Sequence, residues 1–279
     1  MTAPFVVTDG KQFWCRLGTS GVRMEMLTPG TGTKVDTMPS KTEPQIAGPW
    51  DTTGIGSIPE LEPGTVHLWQ TPLEDRASEV TAWYELLSRD EQDRALRFRE
   101  GRPRNDFVVT RGTLRALLAR YLGTAPQEVH FCYAIHGKPL LGGNSNLCFN
   151  VSHTRGLAMM AVAQDRAIGV DVENVNRDTD VKPLAERFFS ESERQALRHL
   201  SGHELRAAFF RCWTRKEAYI KAKGDGLALP LSQFDVSIAA GDRNALLATR
   251  PDRGEASQWT ISDVPVIAEY AAAVAVSAD

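Results

Sequence analysis

No stretch of the 279-residue chain approaches the roughly eighteen consecutive apolar residues of a membrane-spanning helix, so no membrane role is expected. Positive charge is not in excess, since 32 Lys and Arg stand against 35 Asp and Glu for a formal net charge of −3. That balance argues against nucleic acid as a partner and leaves small anions as the targets of any local basic cluster. Cysteine is sparse and scattered, at Cys15, Cys132, Cys148 and Cys212, with no CxxC pair and no histidine at metal-ligand spacing. This argues against zinc and for reduced thiols in a reducing compartment. The opening residues, MTAPFVVTDGKQFW, do not run from basic to apolar as a secretory signal does, so the cytoplasm is the expected location. There is no evident internal repeat and no regular βαβ rhythm, and the mixed order of helical and strand patterns fits an α+β fold with largely antiparallel sheets.

What the chain does contain is ample apolar content for a proper core. Residues 1 to about 62 are rich in Thr, Gly and Pro, and TPGTGTKVDTMPSKTEP shows neither a helical nor a strand period, so this part reads as an extension. Thr65 to Gln70 reads as a strand and Ala77 to Leu87 as a helix. Ser88 and Glu91 have capping-box spacing and open the next helix. Asn105 to Leu122 is a longer helical pattern that carries Arg111 and Arg115 four apart, an arrangement equally suited to a solvated face. A short strand from Glu128 to Ala134 follows, and then His136-Gly137-Lys138-Pro139 forms a turn from which Lys138 can project.

Leu147 to Val151, Gly156 to Ala163 and Ala167 to Val175 read as a meander of strands. In the last, Ile168, Val170 and Val172 point one way while Gly169, Asp171 and Glu173 point the other, so two carboxylates stand side by side. Such a pair is often only the wet side of a sheet, but the missing side chain of Gly169 on the same face lets a ligand or another element approach. Val181 to Phe189 reads as a short helix, and Ser190 with Glu193 forms a second capping box. The C-terminal strands, around Phe234 to Ile238, Gln258 to Ile261 and Ala268 to Val276, supply a second sheet.

Phe209 to Leu227 is the most informative helix, because its helical period puts Phe209, Trp213, Lys216, Glu217, Ile220 and Lys221 on one stripe. The mixture fits either an amphipathic helix whose lysines reach water while Glu217 pairs with Lys221 four residues on, or a functional carboxylate held at the edge of a core, and Gly224-Asp225-Gly226 ends the helix. Asp171, Glu173 and Glu217 are all hard oxygen donors, which suit Mg²⁺ if strand and helix converge. With Arg94, Arg111, Lys138, Lys216 and Lys221 as cations, the residues alone point to magnesium-dependent chemistry on a phosphate ester.

The motifs FNVSHT (Phe149 to Thr154), IGVDVE (Ile168 to Glu173), RFFSESE (Arg187 to Glu193) and WTRKEAYIKAKGDGL (Trp213 to Leu227) resemble those of the 4'-phosphopantetheinyl transferases of the larger surfactin-synthetase-activating type. HGKPLL and LSRDEQDRALRF are weaker matches of the same kind, and the resemblance runs from about residue 65 to the C-terminus. It implies two similar, pseudo-symmetric α+β halves, each a mainly antiparallel sheet packed with helices, with a cleft between them. The expected division is an extension of unknown role over 1–62, a coenzyme A phosphate-binding half over 63–166, and a half with the magnesium site and catalytic helix over 167–279.

The resemblance further implies transfer of the phosphopantetheine arm of coenzyme A to a serine of an apo acyl or peptidyl carrier protein, with release of adenosine 3',5'-bisphosphate. Asp171, Glu173 and Glu217 look like its magnesium ligands and Lys221 like its phosphate-contacting lysine. Ser152 and His153 fall where the family holds the adenosine 3'-phosphate, with help from Lys138, Arg94 and either Arg111 or Arg115. A serine hydroxyl needs a base, for which Glu217 is the candidate, directly or through water, while Lys216 and Lys221 would neutralise charge on the leaving group. Glu91 stands where relatives often carry a further basic residue. The exposed part of Val175 to Phe189 is the expected carrier contact. Two halves in one chain remove the need for a dimer, so a monomer is expected. The rival readings are a non-catalytic coenzyme A or carrier-binding protein of this fold and a magnesium-dependent phosphohydrolase.

Overall fold

The computed structural model describes residues 58–278 apart from Asp75, Asp225, Arg243 and Asn244, together with the strands at 13–18, 21–26 and 45–51. In chain order the strands are β1 (Phe13–Gly18), β2 (Gly21–Met26), β3 (Gln45–Asp51), β4 (Thr65–Pro72), β5 (Phe131–Tyr133), β6 (Pro139–Leu141), β7 (Leu147–Thr154), β8 (Leu157–Gln164), β9 (Ile168–Asn174), β10 (Phe234–Val236), β11 (Leu246–Thr249), β12 (Trp259–Asp263) and β13 (Tyr270–Ser277). The helices are α1 (Val80–Glu85), α2 (Arg89–Arg97), α3 (Arg102–Leu122), α4 (Val181–Phe188), α5 (Glu191–Arg198) and α6 (Gly202–Lys223). Both capping boxes form, at Ser88 with Glu91 and at Ser190 with Glu193.

Two sheets carry the fold. The first runs β3-β4-β8-β7 and the second β12-β13-β9, with every pairing antiparallel except β3 with β4. Helix α3 covers the outer face of the first sheet, where Leu114, Leu117 and Leu118 meet Trp69, Phe149 and Met160. Helix α6 covers the outer face of the second, with Phe209, Ala218 and Ile220 in a core shared with Ile261 and Ala273. The inner faces close on each other: Val66, Leu68 and Met159 of the first sheet pack with Val170, Val172 and Val274 of the second. The period-two alternation of IGVDVE decides this layering, since its β-branched residues enter the shared core and leave Gly169, Asp171 and Glu173 facing α6.

The extension read over 1–62 is met in part by structure. TPGTGTKVDTMPSKTEP, residues 28–44, lies outside the described residues, whereas β1 pairs with β2 and β3 adds a parallel edge to β4. Gly48 and Pro49 interrupt the strand pattern of β3, and its ladder is irregular there, between Ala47 and Trp50. An edge tolerates a proline that a central strand would not.

Candidate active site

The candidate side chains of β7, β9 and α6 gather where the edges of the two sheets run together. Asn150, Ser152 and Thr154 alternate along β7, and each reaches across to β9. Asn150 Oδ1 accepts from the Val170 amide at 2.9 Å, and Ser152 Oγ donates to Asp171 Oδ1 at 2.8 Å. Thr154 Oγ1 accepts from the Asn174 amide at 3.2 Å and donates to Glu173 Oε2 at 3.3 Å. The FNVSHT strand is therefore a polar zipper in which every second residue holds the acid-bearing strand in register.

Gly169 brings the helix in. A Cβ there would lie 2.1 Å from the Ala218 carbonyl oxygen and 2.4 Å from the Ala222 amide, so its bare Cα is what lets α6 rest on β9. That contact sets Glu217 and Lys221 beside the strand acids. Lys221 Nζ donates to Asp171 Oδ1 at 2.6 Å and to Ser152 Oγ at 2.8 Å, closing a triangle of serine, lysine and carboxylate. Glu217 is half-buried on the same side of α6, and no described residue hydrogen-bonds its carboxylate. Desolvation, reinforced by the negative charges of Asp171 and Glu173 and opposed by Lys221, pushes its pKa up to about 7. Glu173 is also raised, first by burial and then by Asp171, although Arg177 Nη1 donates to both its oxygens at 3.0 and 3.1 Å.

These three acids suit a hard dication. Asp171 Oδ2 is buried without a hydrogen-bond partner, and its carboxylate helps to raise the pKa of both Glu173 and Glu217, a repulsion that a shared cation relieves. As the side chains stand, no group of three or more His, Cys, Asp or Glu among the described residues already converges as a metal cage. The ammonium of Lys221 and the guanidinium of Arg177 hold two of the acids instead.

Lys216 does not belong to this site. Its side chain is wholly buried on the other side of α6, where Nζ pairs with Glu193 Oε1 at 2.7 Å and donates to the carbonyls of Leu231 and Phe234 at 2.7 and 2.6 Å. The expected role on a leaving group is overturned, because the ammonium has no path to the cleft. Adjacent helical positions differ by about 100°, which is enough to send Lys216 inward and Glu217 to the cleft.

The cations of the first half divide similarly. Arg94 is exposed on α2, its guanidinium 5.3 Å from the Phe107 ring centroid. Arg115 is buried, donating to Glu91 Oε2 and, at 2.8 and 2.9 Å, to the Pro126 and Val129 carbonyls, so of the two arginines left open it is removed as a phosphate ligand. Arg111 lies over Phe131 with Nε 3.4 Å from Glu91 Oε1, and burial lowers its pKa. Glu91 thus serves as a buried counter-ion, a role that its distance from both arginines in sequence concealed. His153 sits exposed at the end of β7, its pKa lowered by desolvation against the pull of Asp106.

Lys138 reaches the seam from the β5–β6 turn, where Nζ donates to the carbonyls of Ile168 and Ala222, each at 3.0 Å, and burial lowers its pKa to about 8. A cleft of about 270 Å³ opens between this turn and α6, lined by His136, Lys138, Asn150, Glu217, Lys221 and Gly226 among others. The segment expected to meet a carrier turns its apolar residues in: Val181 and Phe189 are buried, Leu184 and Phe188 half-buried, and what it exposes is chiefly polar.

Two α+β halves are joined along a seam whose acids, serine and lysine can hold a cation and an anionic group side by side. Residues 167–275 match the model of the 4'-phosphopantetheinyl transferase superfamily, and residues 70–166 match that of the 4'-phosphopantetheinyl transferase N-terminal region. The 4'-phosphopantetheinyl transferase HetI of Nostoc sp. is 40% identical over 215 residues, covering 76% of this chain and 87% of its own. Sfp of Bacillus subtilis, also a 4'-phosphopantetheinyl transferase, is 27% identical over 157 residues, 55% of this chain and 67% of its own. The chain belongs to the 4'-phosphopantetheinyl transferase superfamily.

Proposed function

We propose that this protein moves the 4'-phosphopantetheine arm of coenzyme A onto a serine hydroxyl of an apo acyl or peptidyl carrier protein. The observation that carries the reading is the half-buried Glu217, titrating near 7, beside the Ser152–Lys221–Asp171 triangle. A carboxylate with a pKa near the working pH is a far better base than an ordinary glutamate, and the attacking serine needs one. The serine oxygen forms a bond to the β-phosphorus, its proton passes to Glu217 directly or through a water, and the bond to the leaving adenosine 3',5'-bisphosphate breaks. Lys221 supplies positive charge where the leaving phosphate gains negative charge. Asp171, Glu173 and Glu217 would hold Mg²⁺, which when bound supplies charge neutralisation at the diphosphate.

Ser152 and His153, with Arg94, Arg111 and the remaining N–H of Lys138, are the groups that would meet the adenosine 3'-phosphate. The carrier would approach along the polar face of residues 175–189. A mass gain of one phosphopantetheine on an apo carrier incubated with coenzyme A and Mg²⁺ is the expected result. Hydrolysis of coenzyme A without transfer would favour a phosphohydrolase, and binding without turnover a non-catalytic relative.

A further inference from the structure

Lys138 lies in a turn that belongs to the first half, yet both hydrogen bonds of its ammonium are made to the second. The hairpin that carries it is tight: the Ala134 amide donates to the Lys138 carbonyl at 2.9 Å, the Gly137 amide to the Ala134 carbonyl at 2.8 Å, and Gly137 has φ +80°. Its ammonium meets the Ala222 carbonyl, one of those left without an intrahelical partner at the C-terminal end of α6, where the negative end of the helix also favours a cation. The same Nζ meets the carbonyl of Ile168, the first residue of β9.

The turn packs on the chain after the helix. A Cβ at Gly226 would be crowded, 3.2 Å from His136 Cβ, while one at Gly224 would make ordinary contact, 3.7 Å from Lys138 Cδ. Ala222 follows Lys221 directly, and Ile168 precedes Asp171 by three positions.

We infer that Lys138 is a positioning residue, a staple by which the His136–Lys138 turn fixes the end of α6 against the start of β9 and so holds Lys221 and Glu217 in register with Asp171. This goes beyond contact with the nucleotide. A phosphate ligand acts only when substrate is present, whereas a staple acts on the protein without it.

The test compares wild type with Lys138→Met, which keeps the stem and removes the ammonium, in two arms. In the first, hydrogen exchange is followed by mass spectrometry without coenzyme A. Amides of 136–141 and 220–224 are expected to exchange about tenfold faster in the variant, while those of α3 stay unchanged and report an intact fold. In the second, transfer is measured with coenzyme A and with 3'-dephospho-coenzyme A. The staple requires a similar fall in kcat with both. An unchanged kcat with both substrates, the whole effect being a rise in KM for coenzyme A that disappears with the dephospho substrate, or unchanged exchange whatever the kinetics, overturns it. Lys138→Gln, whose amide can still donate to one carbonyl, is expected to show intermediate exchange and serves if the Met variant does not fold. The kinetic arm rests on the proposed transfer reaction, but the exchange arm needs no turnover, so failure of one reading is distinguishable from failure of the other.

Discussion

In the proposed reaction Glu217 is the base, and its electrostatics give it two separable signatures. Glu217→Gln removes the proposed proton acceptor and is expected to lower transfer by at least about 10²-fold, measured as kcat with a saturating carrier. The same substitution should change stability in the opposite sense. Unfolded, the carboxyl releases its proton near the ordinary value of 4.5, but folded it keeps the proton to about 7. The folded state therefore binds more protons between those values, and the stability this group contributes is full below 4.5 and lost as pH rises through 7. Glutamine has no such loss. In metal-free buffer the variant should melt higher than wild type at pH 8 and converge with it below 4.5, where both side chains are neutral. Added Mg²⁺ should raise the wild-type melting temperature at pH 8 more than that of the variant. A wild type that stays more stable than the variant throughout would show that Glu217 does not carry a raised pKa in the folded state.

At the scale of elements, the site depends on how closely α6 lies on β9, which the bare Cα of Gly169 permits, and on how the helix is anchored on its other side, where Lys216 is buried. Gly169→Ala would force a methyl to within 2.1 Å of a backbone oxygen, which no rotamer change relieves, so the helix must move. Overpacking of this kind costs about 1–3 kcal/mol or more, and kcat should fall further than the melting shift alone explains, because Glu217 and Lys221 move with the helix. Lys216→Met breaks a buried pair and leaves Glu193 charged without its partner, for an expected loss of about 3–5 kcal/mol in chemical denaturation. Since Lys216 does not face the cleft, KM for coenzyme A should hold in whatever fraction remains folded.

The two cases also mark what the sequence could and could not disclose. The alternation of IGVDVE showed which side chains share a face, and the bare Cα of Gly169 announced a close approach. What approaches is a helix fifty residues away, which no local pattern specifies. The Phe209 stripe is narrower in the fold than the helical period suggests, for a similar reason. Lys216 and Glu217 look interchangeable until Glu193, already engaged in a capping box, takes the lysine as its second partner. The pairing of Arg115 with Glu91 is hidden likewise, because a buried ion pair between helices has no periodic signature. The family motifs were legible because their spacing is local, and the tertiary partners were not.

For the whole molecule, the decisive feature is that the two halves do not each own a complete core. Val66, Leu68, Leu157 and Met159 on one side and Ile168, Val170, Val172 and Val274 on the other are buried against one another, so each sheet has an inner face that only the other half covers. The family matches meet between residues 166 and 167, yet that junction is a short turn between β8 and β9 rather than a linker. Separate halves would expose these apolar faces to water at roughly 25 cal/mol per Å². A fragment comprising 167–279 is therefore expected to aggregate or to remain without fixed tertiary packing, as near-ultraviolet dichroism would report. The intact chain should unfold in one calorimetric transition whose van't Hoff and calorimetric enthalpies agree. A ligand held across the seam tests the same point more sharply. Saturation with coenzyme A and Mg²⁺ stabilises whatever unit unfolds with the site, by about 2.7 kcal/mol at a hundredfold excess over Kd. If the halves share one core, the single transition moves upward as a whole. If they were independent, one transition would split into a shifted and an unshifted part, and the cleft would be a meeting place of two domains rather than the centre of one.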